Sequence, residues 1–313
     1  MSGAAASDVV SPARARDRLG LAAALIAPLT WGLTGVLVRL LGDLPSMTIV
    51  VGRLVTGATV LTLLLIMRGW STAPMRLSWP AVTMAAYYVL ATEAFARAPV
   101  VEVTLLIGIA PVIALGIEHL RGRSVPRRQL LGVVLALTGL VGFLAPSAKA
   151  GEMRLVGDLL ALGAAIASAA YASRLRYLAD VGRALDPYSV AATACLVGAI
   201  AAAAVVSVTG SWSEPMVTPR DLRVLVMLGI VSTAIPTVAY GFASARLPAV
   251  LTTSLGLSTP LFATLFAGCV IGEWPAVRAL PPALLVLLGL VLVVRSKPRQ
   301  EPASSHATQS HQR

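Results

Sequence analysis

The side chains in this sequence that could do chemistry are charged groups embedded in long apolar runs. Arg53, Glu93 and Glu102 lie in the outer parts of runs predicted to form the second, third and fourth helices. Such groups cost about 2.5–3.5 kcal/mol to insert in lipid, so they usually face protein or water. Glu93 and Arg97 are spaced i, i+4 and could pair along one helix face. Arg53 would then need Glu102, Asp43 or Glu93 as partner. We predict a gating or proton-coupling cluster, or else a static polar brace.

A second group of interest is aromatic. Tryptophan usually lies at the membrane interface, but Trp31 falls in the middle of the first apolar run. Its ring either borders a cavity or packs in the core. Tyrosines in the middle of other runs carry polar groups that could line the same cavity. The predicted substrate-cavity residues are Trp31, Tyr87, Tyr171 and Tyr240.

Motifs for catalysis are missing from the sequence. It contains no zinc-binding His-Glu-x-x-His, no Gly-x-Ser-x-Gly nucleophile elbow and no Walker phosphate loop. The only lysines, Lys149 and Lys297, fall in a loop and a tail, and Cys195 and Cys269 form no metal or redox motif. We therefore predict no enzymatic activity, no cofactor and no metal site.

The elements that must position these residues are membrane helices. The chain has 313 residues, is 57% hydrophobic and 12% charged, and has a mean hydropathy of +0.82. A bilayer core requires about 20 consecutive apolar residues per helix. Runs of that length predict an all-α integral membrane protein with ten transmembrane helices, at 19–41, 46–67, 77–96, 100–120, 128–145, 155–176, 187–208, 221–244, 248–271 and 277–294.

The net charge of +11 is explained by membrane topology. Basic residues are scattered between the apolar runs without a continuous basic face, so no nucleic-acid partner is expected. With the N-terminus inside, 17 of the 25 Arg and Lys residues fall in inside segments and six in outside loops. The positive-inside rule then predicts a multi-pass protein of the plasma membrane with both termini in the cytoplasm.

The chain also contains an internal repeat. Residues 96–111 align without gaps to residues 245–260, at an offset of 149, and seven of the sixteen positions are identical. Each half therefore contains five helices, and an odd number of helices reverses the orientation of the second half. This arrangement predicts two inverted-topology five-helix repeats, at 19–145 and 155–295, flanked by disordered cytoplasmic tails at 1–18 and 296–313.

Three prolines fall inside predicted helices. Proline removes a backbone hydrogen bond and kinks a helix, so Pro111, Pro236 and Pro260 should interrupt the fourth, eighth and ninth helices. The charge cluster is not demanded by the repeat, because its matched positions in the second half are apolar. The counterparts of Arg53, Glu93 and Glu102 are Leu196, Phe242 and Leu251.

The order of several short motifs resembles the EamA branch of the drug/metabolite transporter superfamily. The motifs are Trp31-Gly32 followed by Arg39, then Arg53, Pro111, Gly157-Asp158-Leu159-Leu160-Ala161-Leu162, Pro260, Gly272-Glu273 and Gly289. The resemblance covers residues 19–295 and implies ten helices around a central cavity. The sequence departs from the family pattern at Arg123-Ser124, where Gly-Glu is expected, and at Ser168, where many relatives carry Trp.

The sequence as a whole predicts a transporter of small metabolites or amino acids, an exporter or exchanger that works by alternating access. Its expected partners are a small-molecule solute and the lipid bilayer, and a homodimer is left open. Two alternatives are a membrane-embedded enzyme that acts on lipid and a non-transporting membrane partner protein. The substrate, the coupling ion and the direction of transport are not encoded in any motif.

Overall fold

The computed structural model describes residues 12–41, 44–69, 77–98, 100–144, 155–209, 217–272, 274 and 277–296. Within these ranges the chain forms ten long helices. They are α1 (Pro12–Gly32 and Thr34–Arg39), α2 (Ser46–Met67), α3 (Trp79–Arg97), α4 (Val100–Ile107 and Ala110–Leu120), α5 (Arg127–Leu144), α6 (Leu155–Asp180), α7 (Pro187–Thr209), α8 (Pro219–Arg246), α9 (Ala249–Ile271) and α10 (Leu280–Arg295).

Nine helices of the described chain are long and apolar enough to cross a membrane. The tenth, α3, has 19 residues but carries Glu93 and Arg97. It packs against α6 and α7, and the side chain of Glu93 is only 12% exposed, so this carboxylate meets mainly protein. The ten helices coincide with the ten predicted spans, and the predicted fold class is confirmed.

The first helix begins earlier than expected. Residues 12–18 were predicted to belong to a disordered tail, yet α1 starts at Pro12. This segment is rich in Ala and Arg, which favour helix, and proline is well tolerated in the first helical turn. The remainder of the predicted tails, residues 1–11 and 297–313, lies outside the described residues.

The three predicted proline breaks are present. In α4 the helix is interrupted before Ala110 and resumes with Pro111 in its first turn. A 3-10 turn at Gly256–Ser258 precedes Pro260 in α9. In α8 a π-helical turn, Ile230–Ala234, precedes Pro236. Each proline lacks an N–H, so the preceding turn adopts a different hydrogen-bonding pattern.

Helix packing follows the two-fold relation between the repeats. Exchanging the halves converts α1 into α6, α3 into α8 and α4 into α9. The observed pair α1–α8 then corresponds to the observed pair α6–α3, and the pair α1–α9 corresponds to α6–α4. The pairs α2–α7 and α5–α10 correspond to themselves. Two inverted five-helix repeats therefore pack face to face.

Matched glycines make equivalent contacts in the two halves. A Cβ at Gly20 in α1 would lie 3.1 Å from Leu247 and 3.2 Å from Arg246, at the end of α8. A Cβ at Gly157 in α6 would lie 2.6 Å from Ala98, at the end of α3. Gly157 therefore needs the absence of a side chain, and Gly20 leaves little room for one, because each helix start touches the helix end of the other repeat.

Candidate functional site

The four predicted cavity residues lie in one aromatic cluster between the repeats. Trp31 of α1 lies between Tyr87 of α3 and Tyr240 of α8, with ring centroids 6.4 Å and 5.4 Å away. Tyr171 of α6 stacks on Tyr240, with centroids 5.6 Å apart and planes 9° from parallel. Four helices, two from each repeat, therefore contribute one ring each.

The two sides of this aromatic cluster differ in exposure. Trp31 and Tyr87 are only partly buried. By contrast, Tyr171 is 0% exposed and Tyr240 is 4% exposed. The Ser168 and Tyr240 hydroxyl oxygens are 3.2 Å apart and share a hydrogen bond, so Ser168 also contacts this cluster. The cluster has an accessible side at Trp31 and Tyr87 and a closed side at the tyrosine stack.

Arg53 lies next to this aromatic cluster and binds α8. Pro236 has no N–H, so the carbonyl of Ser232 loses its usual donor four residues later. Arg53 Nη2 donates to that carbonyl at 2.8 Å, and Arg53 Nε donates to Thr233 Oγ1 at 2.9 Å. The guanidinium therefore attaches α2 to the π-helical turn of α8. π-helical turns recur at functional sites.

The Arg53 charge is not neutralised by any carboxylate that the structure describes. Its guanidinium carbon lies 5.6 Å from the Tyr88 ring centroid, within cation–π range. Arg53 is only partly buried although its partners belong to α3 and α8 inside the bundle. Arg53 therefore keeps accessible surface beside the aromatic cluster.

A hydrogen bond between Tyr88 and Thr237 marks the axis that relates the repeats. Their hydroxyl oxygens are 2.5 Å apart, and the two positions are separated by 149 residues, which is also the repeat offset. Equivalent positions can touch only where the two-fold axis passes between them. Arg53, which packs on Tyr88, therefore lies beside the centre of the molecule.

Hydroxyl groups continue this network along α8 and into α1. Thr237 donates to the Thr233 carbonyl, and Thr233 donates to the carbonyl of Leu228 at 3.1 Å. Ser232 Oγ donates to the Thr30 carbonyl at 2.9 Å, next to Trp31. Sequence reasoning missed Ser232, Thr233 and Thr237. The signal available was three hydroxyl residues flanking Pro236 in an otherwise apolar run.

The acidic members of the predicted gating cluster do not pair with Arg53 among the described contacts. Glu93 forms a salt bridge with Arg97, as the i, i+4 spacing predicted. Glu102 lies in α4, but its side chain is outside the described part of the structure, as is Asp43. The partners of Arg53 are a carbonyl, a hydroxyl and a ring. The role of these residues in gating or coupling stays a prediction.

The fold and this central site together indicate the class of protein. Ten membrane helices in two inverted repeats, with polar and aromatic groups gathered at the repeat interface, are the architecture of a multi-spanning membrane transporter. The sequence profile of the EamA-like transporter family matches residues 18–145 and 155–295. The chain belongs to this family, which is part of the drug/metabolite transporter superfamily, as the resemblance predicted.

Relatives and a solved structure agree with this assignment. The uncharacterized transporter YwfM of Bacillus subtilis (strain 168) is 27% identical over 299 residues, which cover 91% of this chain and 97% of the relative. The uncharacterized protein PA1977 of Pseudomonas aeruginosa is 31% identical over 247 residues, covering 77% and 81%. A crystal structure at 21% identity superposes with a TM-score of 0.74 over 89% of this chain and 97% of the other, which supports the fold.

Proposed function

We propose that the protein moves small metabolites or amino acids that carry an acidic group, by alternating access around the central site. The observation that carries this proposal is the Arg53 guanidinium. It lies beside the aromatic cluster, keeps accessible surface and has neutral partners only, among the residues that the structure describes.

An acidic solute suits this guanidinium for electrostatic reasons. A cation inside a membrane protein is costly unless an opposite charge or a polar cavity accompanies it. A carboxylate can accept two parallel hydrogen bonds from an arginine, which adds geometric selectivity to the charge interaction. Arg53 already orients two of its donors toward α8, so its remaining N–H groups are held in a fixed direction.

The aromatic cluster would bind the rest of the solute. The partly buried rings of Trp31 and Tyr87 provide an apolar wall on the accessible side. The Tyr171 hydroxyl is buried and has no hydrogen-bond partner in the described structure. On this proposal it serves a solute polar group once the tyrosine stack opens.

Alternating access follows from the same asymmetry. Two inverted repeats can exchange conformations, which closes one side of a midplane site while opening the other. The closed side consists here of Tyr171 and Tyr240, whereas Trp31 and Tyr87 keep accessible surface. We propose that separation of the Tyr171–Tyr240 stack opens the second side. Export or exchange is the mode of transport that the family resemblance favours.

The outer acidic residues are proposed to couple transport to protons. If Glu93 carries the proton, Glu93→Gln should abolish the pH dependence of flux while exchange persists, because the amide does not titrate. Flux by the variant would be compared with flux by Glu102→Gln across a pH series in liposomes. Unchanged pH dependence in both variants would leave the Glu93–Arg97 pair as a structural brace.

The first test of the proposed function is flux in liposomes. Purified protein would be offered a pooled panel of amino acids, other carboxylates and the corresponding amides. We expect saturable flux of carboxylates, lost in Trp31→Ala and retained in Trp274→Ala, a matched variant whose ring is 65% exposed at the surface. Absence of flux for every compound, from folded protein, would favour the enzyme or partner alternatives.

A further inference from the structure

A second polar site lies at one end of the bundle, away from the central site. It is a cleft of about 370 Å³ between the start of α3, the end of α4 and the last turns of α6. Its lining residues are Trp79, Ile117, Arg121, Ala170, Ser173 and Arg174. None of these residues takes part in the aromatic cluster or in the contacts of Arg53.

Two lining residues place the mouth of the cleft near the lipid headgroups. Arg121 directly follows the last residue of α4, and Trp79 is the first residue of α3. Trp79 begins α3 and is 63% exposed, as expected for a tryptophan at the interface.

Two arginines of the cleft carry unneutralised charge. Arg121 and Arg174 both lie against the Tyr177 ring, with guanidinium carbons 5.4 Å and 5.1 Å from its centroid. Neither forms a salt bridge with a carboxylate that the structure describes. Arg121 Nη1 donates at 3.1 Å to the carbonyl of Ser173, which fixes the side chain over the cleft.

The neighbouring arginines behave differently, which singles out this pair. Arg123 bonds Glu118 at 3.0 Å and Asp180 at 2.7 Å, and Arg176 bonds Asp180 at 3.0 Å. The hydrogen bond to Asp180 raises the pKa of Arg123. The nearby loop 70–76, which lies outside the described residues, contains no acidic residue. Glu118 and Asp180 therefore serve Arg123 and Arg176, not the cleft.

We propose that this cleft binds the headgroup of an anionic phospholipid, with Arg121 and Arg174 holding the phosphate. Arginine forks match phosphate oxygens, and an anion between the two guanidiniums relieves their mutual repulsion. Trp79, Ile117 and Ala170 form an apolar wall for the start of an acyl chain. Leu120 continues this surface into lipid at 87% exposure. This proposal does not depend on the identity of the transported solute.

The test is native mass spectrometry of the full-length protein, titrated with phosphatidylglycerol or phosphatidylcholine. We expect phosphatidylglycerol to bind more tightly, and the double variant R121Q/R174Q to lose about tenfold in affinity for it. The matched control is R127Q/R128Q, which removes two exposed charges from the start of α5 at the same end of the bundle. It should bind phosphatidylglycerol like the unmodified protein.

Several results would overturn the proposal. They are equal affinity for the two lipids in the unmodified protein, equal losses in both double variants, and displacement of the lipid by millimolar inorganic phosphate, which would indicate a soluble anion instead. A second measurement does not need the arginine variants. Phosphatidylglycerol with brominated chains should quench tryptophan fluorescence more than brominated phosphatidylcholine, and Trp79→Phe should remove that difference. Quenching that is unchanged in Trp79→Phe would contradict the site.

Discussion

At the scale of single residues, Arg53 is the most informative side chain in the molecule. The free-energy cost of placing its charge in a membrane is offset by three neutral groups. They are the Ser232 carbonyl, which lacks a helical donor because of Pro236, the Thr233 hydroxyl and the face of the Tyr88 ring. These neutral groups solvate the guanidinium without cancelling its charge. An arginine that serves only as a brace would be expected to pair with a carboxylate, so the arrangement favours a binding role.

The first prediction concerns this charge. Arg53→Gln should weaken flux of carboxylate solutes about ten- to a hundredfold, because a hydrogen bond to a charged group contributes about 1.5–3 kcal/mol. Arg53→Lys should retain part of the flux, since it keeps the charge but loses the fork. Competition between carboxylates and their amides in liposomes measures the effect.

The control for this prediction is Arg223→Gln, at the exposed start of α8. It removes the same charge far from the central site and should leave the preference for carboxylates unchanged. If Arg53→Gln discriminates between acid and amide as well as the unmodified protein does, Arg53 does not bind the solute.

Sequence reasoning singled out Trp31 because a tryptophan in the middle of a membrane span is unusual, and the structure places its ring next to those of Tyr87 and Tyr240. Its role in a substrate cavity stays a prediction. The partners of Arg53 were not predictable in the same way. One partner is the Ser232 carbonyl, which is available because α8 changes to a π-helical turn there. No pattern of residues specifies which helix will approach that carbonyl.

At the scale of elements, α8 is the helix on which the central site depends. Its π-helical turn presents the Ser232 carbonyl and the Thr233 hydroxyl to Arg53. The sequence predicted an interruption at Pro236 because proline lacks an N–H. It did not predict a π-helical turn there and a 3-10 turn in α9, because that choice depends on how neighbouring helices pack around each proline.

The second prediction is that Pro236→Ala impairs transport without destabilising the protein. Alanine restores an N–H that can bond the Ser232 carbonyl, so this intrahelical donor competes with Arg53 and α8 can become regular. We expect the turnover rate to fall several-fold while the thermal unfolding temperature stays equal or rises. Flux in liposomes and thermal unfolding in detergent measure the two effects.

Pro80→Ala is the matched control for this helix. Pro80 lies in the first turn of α3, where the backbone N–H has no intrahelical acceptor. This variant should leave both turnover and thermal stability almost unchanged. Equal turnover of Pro236→Ala and the unmodified protein would show that the π-helical turn is not needed for transport.

At the scale of the whole molecule, the two repeats explain the packing. Gly20 and Gly157 receive equivalent helix ends, and Tyr88 meets Thr237 on the axis. The number of helices and their grouping into two halves followed from apolar runs and one sixteen-residue match. Neither observation revealed the helix pairs, because packing in lipid depends on close side-chain fit instead of on hydrophobicity.

The third prediction concerns orientation. Ser124 follows α4 and Val277 follows α9, the matched helix, and both are exposed. Inversion requires that they lie on opposite sides of the membrane. Single cysteines are introduced at these positions in a background with Cys269→Ala. A membrane-impermeant maleimide should label one of them in sealed cells and the other only in inside-out vesicles. Cys195 is buried and can remain. Labelling of both from one side would exclude an inverted repeat.

Arg53 and Leu196 occupy equivalent positions in the two repeats, and this difference has an energetic consequence. Two identical repeats would give two conformations related by the two-fold axis, with equal free energy and equal population. The hydrogen bonds of Arg53 exist in one repeat only, and a net difference of about 1.5–3 kcal/mol corresponds to a population ratio of about ten to a hundred. On the proposed alternating-access mechanism, the empty protein would therefore have a preferred resting orientation. A solute that took over part of the guanidinium's hydrogen bonding would reduce that preference, so solute binding would bring the two orientations closer to equal population.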